Sequence, residues 1–139
     1  MIKTFHIQTS GPGLFEFTHD VTRFVSESDL DTGLLTLFVQ HTSCSLLIQE
    51  NADPDVKLDM NGFFSRMVPD ANDASMQWLR HTCEGPDDMP AHIKAALTPV
   101  SLSIPVSNGR LALGTWQGIY LFEHRNSAHR RRVIGHLSA

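Results

Sequence analysis

The segment Gly114-Thr-Trp-Gln-Gly-Ile-Tyr-Leu-Phe-Glu-His-Arg125 constrains the fold more than any other. It reads as one long strand, and alternate residues of a strand point to opposite faces of a sheet. Trp116, Tyr120 and Phe122 fall on one face, and Ile119 and Leu121 on the other. A strand apolar on both faces must be covered on both sides, so a single solvated sheet is excluded. Three ionisable residues in succession, Glu123, His124 and Arg125, close this segment. Packing gives no reason for them, and they mark the rim of a site.

The 139 residues suffice for one domain, spanning 1–139, with a sizeable core. Apolar residues make up 41% and charged residues 19%, an ordinary globular profile. No apolar run reaches the roughly 18 residues that span a membrane, and the opening residues lack the apolar stretch of a signal peptide. With two cysteines, Cys44 and Cys83, no disulfide framework is implied, and a reduced cytoplasmic setting is expected. The net charge of −4 argues against nucleic acid as a partner. Acidic residues concentrate between Glu50 and Pro90 and basic ones after Asn108, so a fold joining the two would suit a metal and a phosphate together. Eight histidines is a high number, and histidine is the commonest metal ligand.

Ile2 to Thr9 and Leu14 to Thr18 read as strands, and Asp20 as the cap of a short helix carrying Val21, Phe24 and Val25. Leu34 to Gln49 is a long β-type run with a polar middle, His41-Thr-Ser-Cys-Ser45, and His41 shares its parity with Leu35, Leu37 and Val39. Asp53 caps a helix with Pro54 in its first position. Val56, Met60, Phe63, Phe64 and Met67 form its apolar stripe, read as core. After the acidic turn Glu84-Gly-Pro-Asp-Asp88, a second helix places Met89, His92, Ile93, Ala96 and Leu97 on one face. That predicts His92 inward and Lys94 outward. Asn108-Gly109 is a strong hairpin signal pairing Val106 with Leu111 and Ile104 with Leu113. Arg130 to Leu137 supplies a last strand, with Arg130-Arg-Arg132 read as an edge device and phosphate contact as the sharper alternative. Tight turns between neighbouring strands predict an α+β fold, a mostly antiparallel β-sandwich-like core with two or three helices packed outside.

No H-x-x-x-H or C-x-x-C spacing is present, so a metal site must be assembled from separate elements. Glu50, Asp53, Glu84, Asp87 and Asp88 can serve as ligands, acids or bases, although capping accounts for Asp53 and a turn with a helix cap for Asp87 and Asp88. Glu123 and Arg125 sit at i, i+2 on one strand face and can pair. Cys44 can be a nucleophile, a soft ligand or a small core residue.

His41-Thr-Ser-Cys-Ser-Leu46, Glu50-Asn-Ala-Asp-Pro-Asp-Val56, Glu84-Gly-Pro-Asp-Asp-Met-Pro-Ala-His-Ile-Lys94, Ile104-Pro-Val106 and Gly109 to Arg125 together resemble the YjbQ family, also called the secondary thiamine-phosphate synthase enzyme family. The resemblance covers nearly the whole chain. It implies a compact sandwich-like fold, assembly as a homotrimer, and a weak ability to replace thiamine-phosphate synthase. The family's histidine motifs fall here on His41, His81 and His92, which implies a site for a divalent metal, zinc by expectation. Ser43 and Cys44 depart from the Thr and Ala usual at these places, so the resemblance assigns Cys44 no role.

These readings combine into one expectation. His41, His81 and His92 hold the metal. Glu50, Asp53 and Glu123 are the candidate catalytic carboxylates. Arg110, Thr115, Gln117 and Arg125 receive a small anionic or phosphorylated ligand. The reaction would join a pyrimidine pyrophosphate to a thiazole phosphate. Metal-assisted hydrolysis of a small phosphorylated metabolite is the second enzyme reading, and a metal- or small-molecule-binding module is the non-enzyme one.

Overall fold

The computed structural model describes residues 1–139. Asn108 and Gly109 have φ of 52° and 69°, the left-handed pair that a two-residue hairpin turn needs. The turn joins β5 (Ser101–Ser107) to β6 (Arg110–Leu111) and pairs Val106 with Leu111, as the spacing predicts. Pairing stops at Leu111, so Ile104 has no partner at Leu113; it faces Leu35 of β3 (Gly33–Val39) instead. With β1 (Ile2–Gln8) and β8 (Arg130–Ser138), these strands form a five-stranded sheet in the order β1-β8-β3-β5-β6. A second sheet has the order β2-β7-β4, from Gly13–Glu16, Gln117–Glu123 and Cys44–Glu50. Every pairing is antiparallel.

The sheets enclose the main core. Leu35, Leu37, Ile104, Val106, Val133 and Leu137 come from the larger sheet, and Leu46, Ile119 and Leu121 from the smaller. Helix α1 (Thr18–Ser26) adds Val21, Phe24 and Val25 to the same core. On the other side of β7, Tyr120 and Phe122 pack with Leu14 and with Met60 and Phe64 of α2 (Pro54–Met67). β7 is therefore covered on both faces, as its composition requires. Burying each such large apolar side chain contributes about 1.5–3 kcal/mol. The α+β sandwich with three outer helices is the architecture expected.

Several local expectations change. The run from Leu34 to Gln49 divides into β3 and β4, which lie in different sheets, because the polar stretch around His41 and Thr42 is where the chain crosses between them. Helix α1 begins at Thr18, with Phe17 at its N-cap; Asp20 lies inside its first turn. No residue of α2 is fully buried: Met60 and Phe64 reach the small sheet, but Phe63 and Met67 are about half exposed. In α3 (Asp88–Leu97) the inward face is Ala91, Lys94 and Ala95, while Leu97 is exposed and His92 half-buried. The predicted stripe thus lies at the margin of the packed face, with Met89 and Ile93 half-buried and Ala96 and Leu97 exposed, because the helix packs closely through its small alanines. β8 is an interior strand, between β1 and β3, and its alternation buries Arg131 while Arg130 and Arg132 stay exposed.

Candidate metal centre

Asp88 and His92 stand at i, i+4 on α3, so both side chains occupy one face of its first turns. His81 reaches the same place from the irregular segment preceding the acidic turn. Its Nε2 lies 2.7 Å from Asp88 Oδ2 and 2.9 Å from Glu84 Oε2, and His92 Nε2 lies 3.2 Å from the same Asp88 oxygen. One ligand atom from each of His81, Asp88 and His92 falls within 4.8 Å of the others. The Asp88 side chain is 4% exposed, whereas His81 and His92 are open to solvent at 45% and 30%. The group is anchored at its base and reachable from outside.

Outer contacts orient it. His92 Nδ1–H donates to the carbonyl of Thr42 at 2.8 Å. A neutral ring held that way turns its Nε2 lone pair toward the Asp88 oxygen, and two lone pairs face each other favourably only across a proton or a cation. Arg125 donates from Nη1 to Asp88 Oδ1 at 2.7 Å and from Nε to Asp87 Oδ2 at 2.9 Å. Asp88 Oδ2 is thereby left toward the histidines. Two imidazole nitrogens and one carboxylate oxygen, with His92 and Asp88 each fixed by an outer hydrogen bond, fit a divalent metal of the zinc type. Burial works to raise the Asp88 carboxyl, but its hydrogen bond to His81 and the Arg125 charge outweigh it and hold the group below its ordinary range. The hydrogen bond to Asp88 holds the His81 imidazolium above its own ordinary range, with Glu84 acting in the same direction.

His92 also lines a cleft of about 400 Å³, with Phe38, Val39, Ala95, Ala96 and Val100 as apolar wall and His41 and Thr42 beside it. His41 belongs to this cleft and not to the converging group. Its Nε2 accepts the Arg132 backbone N–H at 2.8 Å, and burial together with the charges of Arg131 and Arg132 keeps the ring neutral-leaning, below its usual range.

The other candidates are dispersed. Glu123 is fully buried and ion-paired with Arg131, and it also accepts from Thr9 Oγ1 and from the backbone N–H groups of His124 and Arg125. The expected Glu123–Arg125 pairing through side chains is replaced by these contacts. Asp53 caps α2 by accepting from Asp55 N at 2.9 Å, and Glu50 accepts from Asp53 N at 3.4 Å. Gln117 accepts from Gly114 N, while Arg110 and Thr115 are exposed. Arg125 alone of the four expected anion-binding residues touches the converging group. Ser45 Oγ lies 3.0 Å from His124 Nε2. Burial, reinforced by the Lys94 charge, depresses His124 to about 3. Burial pushes the Cys44 thiol up to about 12, so Cys44 behaves as a core residue and not as a nucleophile.

Asp88, one of five carboxylates read as able to be a ligand, acid or base, takes the place in the converging group that was expected for His41. Its signal was present as Asp-x-x-x-His on a helix. Arg131 was missed, being read with Arg130 and Arg132 as an edge device; the alternation of the last strand, which puts it with Val133 and Gly135, is the signal that could have found it.

The family described as UPF0047 protein YjbQ-like matches residues 3–139. The chain belongs to the YjbQ family. UPF0047 protein sll1880 of Synechocystis is 52% identical over 132 residues, covering 95% of this chain and 87% of that protein. UPF0047 protein YjbQ of Escherichia coli O157:H7 is 42% identical over 136 residues, covering 97% and 95%. Among solved structures, a YjbQ/UPF0047 family protein from Clostridium acetobutylicum superposes with a TM-score of 0.86 at 34% identity, over 98% of this chain and 99% of that one. A conserved hypothetical protein from Thermus thermophilus gives 0.83 at 33% identity, over 98% and 99%. The fold on which His81, Asp88 and His92 converge is thus the fold of the YjbQ family.

Proposed function

We propose that this chain is a divalent-metal enzyme that acts on a small phosphorylated substrate carrying an apolar ring, with the weak joining of a pyrimidine pyrophosphate to a thiazole phosphate as its reaction. The observation that carries the reading is the convergence of His81, Asp88 and His92 beside an apolar cleft. Phe38, Val39, Ala95, Ala96 and Val100 offer a heterocycle a water-poor wall. His92 belongs to both the cleft and the ligand set, so a ring seated there holds its phosphate end near His81 and Glu84. A bound zinc would supply Lewis acidity toward the leaving oxygens. In the metal-free protein His81 Nε2 holds a proton between Asp88 and Glu84, which a metal would displace, and Arg125 fixes the Asp88 carboxylate.

The site is also open along an apolar margin. Leu34, Phe38, Leu97 and Val100 are 39–58% exposed. Leu34 and Phe38 lie on the outer face of β3, opposite its core residues, and Phe38 and Val100 also wall the cleft. This margin supports self-association that shields one side of the cleft, which we read as the homotrimer the family resemblance implies. No helix is long and apolar enough to cross a membrane.

Metal analysis of the purified protein followed by incubation with both phosphorylated precursors tests the reading. Thiamine phosphate formed only by metal-loaded protein supports it. Phosphate release without joining turns it to the hydrolase, and neither activity with metal bound leaves a binding module.

A further inference from the structure

Lys94 is 8% exposed, yet its amine makes no hydrogen bond or ion pair within the chain. Burying an unpaired ammonium is costly. No fully enclosed side-chain nitrogen or oxygen lacks a partner in this protein, so the Lys94 N–H groups must open onto accessible space. That space is a pocket of about 210 Å³ lined by Lys94, Asp70, Asn126, Ser65, Val68 and Pro69, among others. Lys94 follows His92 by two residues, roughly 200° around a helix, so the pocket lies across α3 from the candidate metal centre and shares none of its residues.

We infer that this pocket is a second binding site, for a small carboxylate that also bears a hydroxyl or amino group. Lys94, Asn126 and Ser65, all lining residues, carry an amine, an amide and a hydroxyl that can donate to a ligand there. They suit a carboxylate, with the charge-assisted bond coming from Lys94. Asp70 is an acceptor that is not ion-paired to Lys94, although its charge is felt there. An isolated carboxylate on the wall disfavours a compact dianion such as phosphate and accepts from a ligand hydroxyl or amine. Lys94 and Asp70 thus match two groups of one ligand, and the volume limits that ligand to a few heavy atoms.

The test is a titration of the full-length chain with glycolate, followed through backbone amide resonances by NMR. Acetate, which lacks the hydroxyl, and inorganic phosphate are the comparison probes. Saturable shifts at Lys94, Asp70 and Asn126 are expected, with acetate at least five-fold weaker and phosphate weaker still. Lys94→Met should weaken glycolate at least ten-fold. Asp70→Asn, at an exposed position, should remove the preference for glycolate over acetate while the fold is kept. Absence of saturable shifts, tighter phosphate binding, or an undiminished glycolate preference in Asp70→Asn would overturn the inference, even if Lys94→Met does not fold. None of these readouts needs metal, so they stand apart from the test of the metal site.

Discussion

Glu123 and Arg131 form a buried ion pair that ties the two sheets together. Glu123 ends β7 in the three-stranded sheet and Arg131 lies on β8 in the five-stranded one, at 0% and 5% side-chain exposure. Arg131 Nε donates to Glu123 Oε2 at 2.7 Å, and its Nη2 also donates to Ser43 Oγ at 3.0 Å. With Thr9 and two backbone amides on the same carboxylate, every polar atom is satisfied. Removing one partner leaves the other charged and unpaired in the interior, which typically costs about 3–5 kcal/mol. Glu123→Gln and Arg131→Met should each lower stability by roughly that amount in urea unfolding. The double variant Glu123→Leu/Arg131→Met should lose clearly less than the sum of the two single losses; a double loss equal to that sum would show that the pair is not coupled.

Stability should fall on both sides of neutrality in metal-free protein. Burial works to raise the Glu123 carboxyl, but Arg131 and the other donors hold it below its ordinary range. Its contribution is present above the unfolded value near 4.3 and is lost as pH falls through the lower folded value. His81 has the opposite sign: its raised affinity for a proton stabilises below the unfolded value near 6.5 and is lost as pH rises through the folded value. Thermal melts from pH 3 to 9 should show a smaller acid loss in Glu123→Gln, with Asp87, Asp88 and His124 supplying the remainder, and a smaller alkaline loss in His81→Ala.

Metal uptake should release a proton from His81, since a ligand must present a lone pair. Calorimetric zinc titrations in buffers of different ionisation enthalpy measure that proton directly. His81→Ala, His92→Ala and Asp88→Ala should each weaken zinc at least a hundred-fold. Arg125→Ala, which frees Asp88 without removing a ligand, should weaken it about 10–100-fold. Full metal retention in both histidine variants would remove the site.

Phe38→Glu should dissociate the proposed homotrimer. Light scattering on the wild type should give the mass of three 15.5 kDa chains, and on the variant one. A wild-type monomer would leave the Leu34–Phe38 margin open and end the shielding proposal.

Gly135→Ala should destabilise by about 1–3 kcal/mol through overpacking. A methyl there would lie 2.7 Å from Phe5 Cε2 and 3.4 Å from Leu37 Cδ2, inside the core. Phe5→Leu in the same chain should relieve most of it, as read by chemical denaturation.

Signals that act over a few residues were legible before folding. The two-faced apolarity of β7, the Asn108-Gly109 turn and the Asp53 cap each depend on neighbours in the chain and stand, although β7 is shorter than read, Gln117–Glu123 with Trp116 exposed, and the hairpin ladder ends before Leu113. The strand period alone required cover on both sides of Tyr120 and Leu121, and so a layered fold. The tertiary structure decided everything that depends on residues far apart in sequence. It turned α3 so that Ala91, Lys94 and Ala95 pack inward, because small side chains allow close approach and a lysine stem can be buried while its amine reaches a pocket. It paired Glu123 with Arg131 across two sheets, where strand spacing had suggested Arg125. It brought His81, from a segment without periodicity, onto the Asp88–His92 pair and left His41 in the cleft wall. The ionisable end of β7, first read as the rim of a site, is divided by the same packing. Glu123 and His124 point into the interior, and Arg125 turns out to hold Asp88 in place.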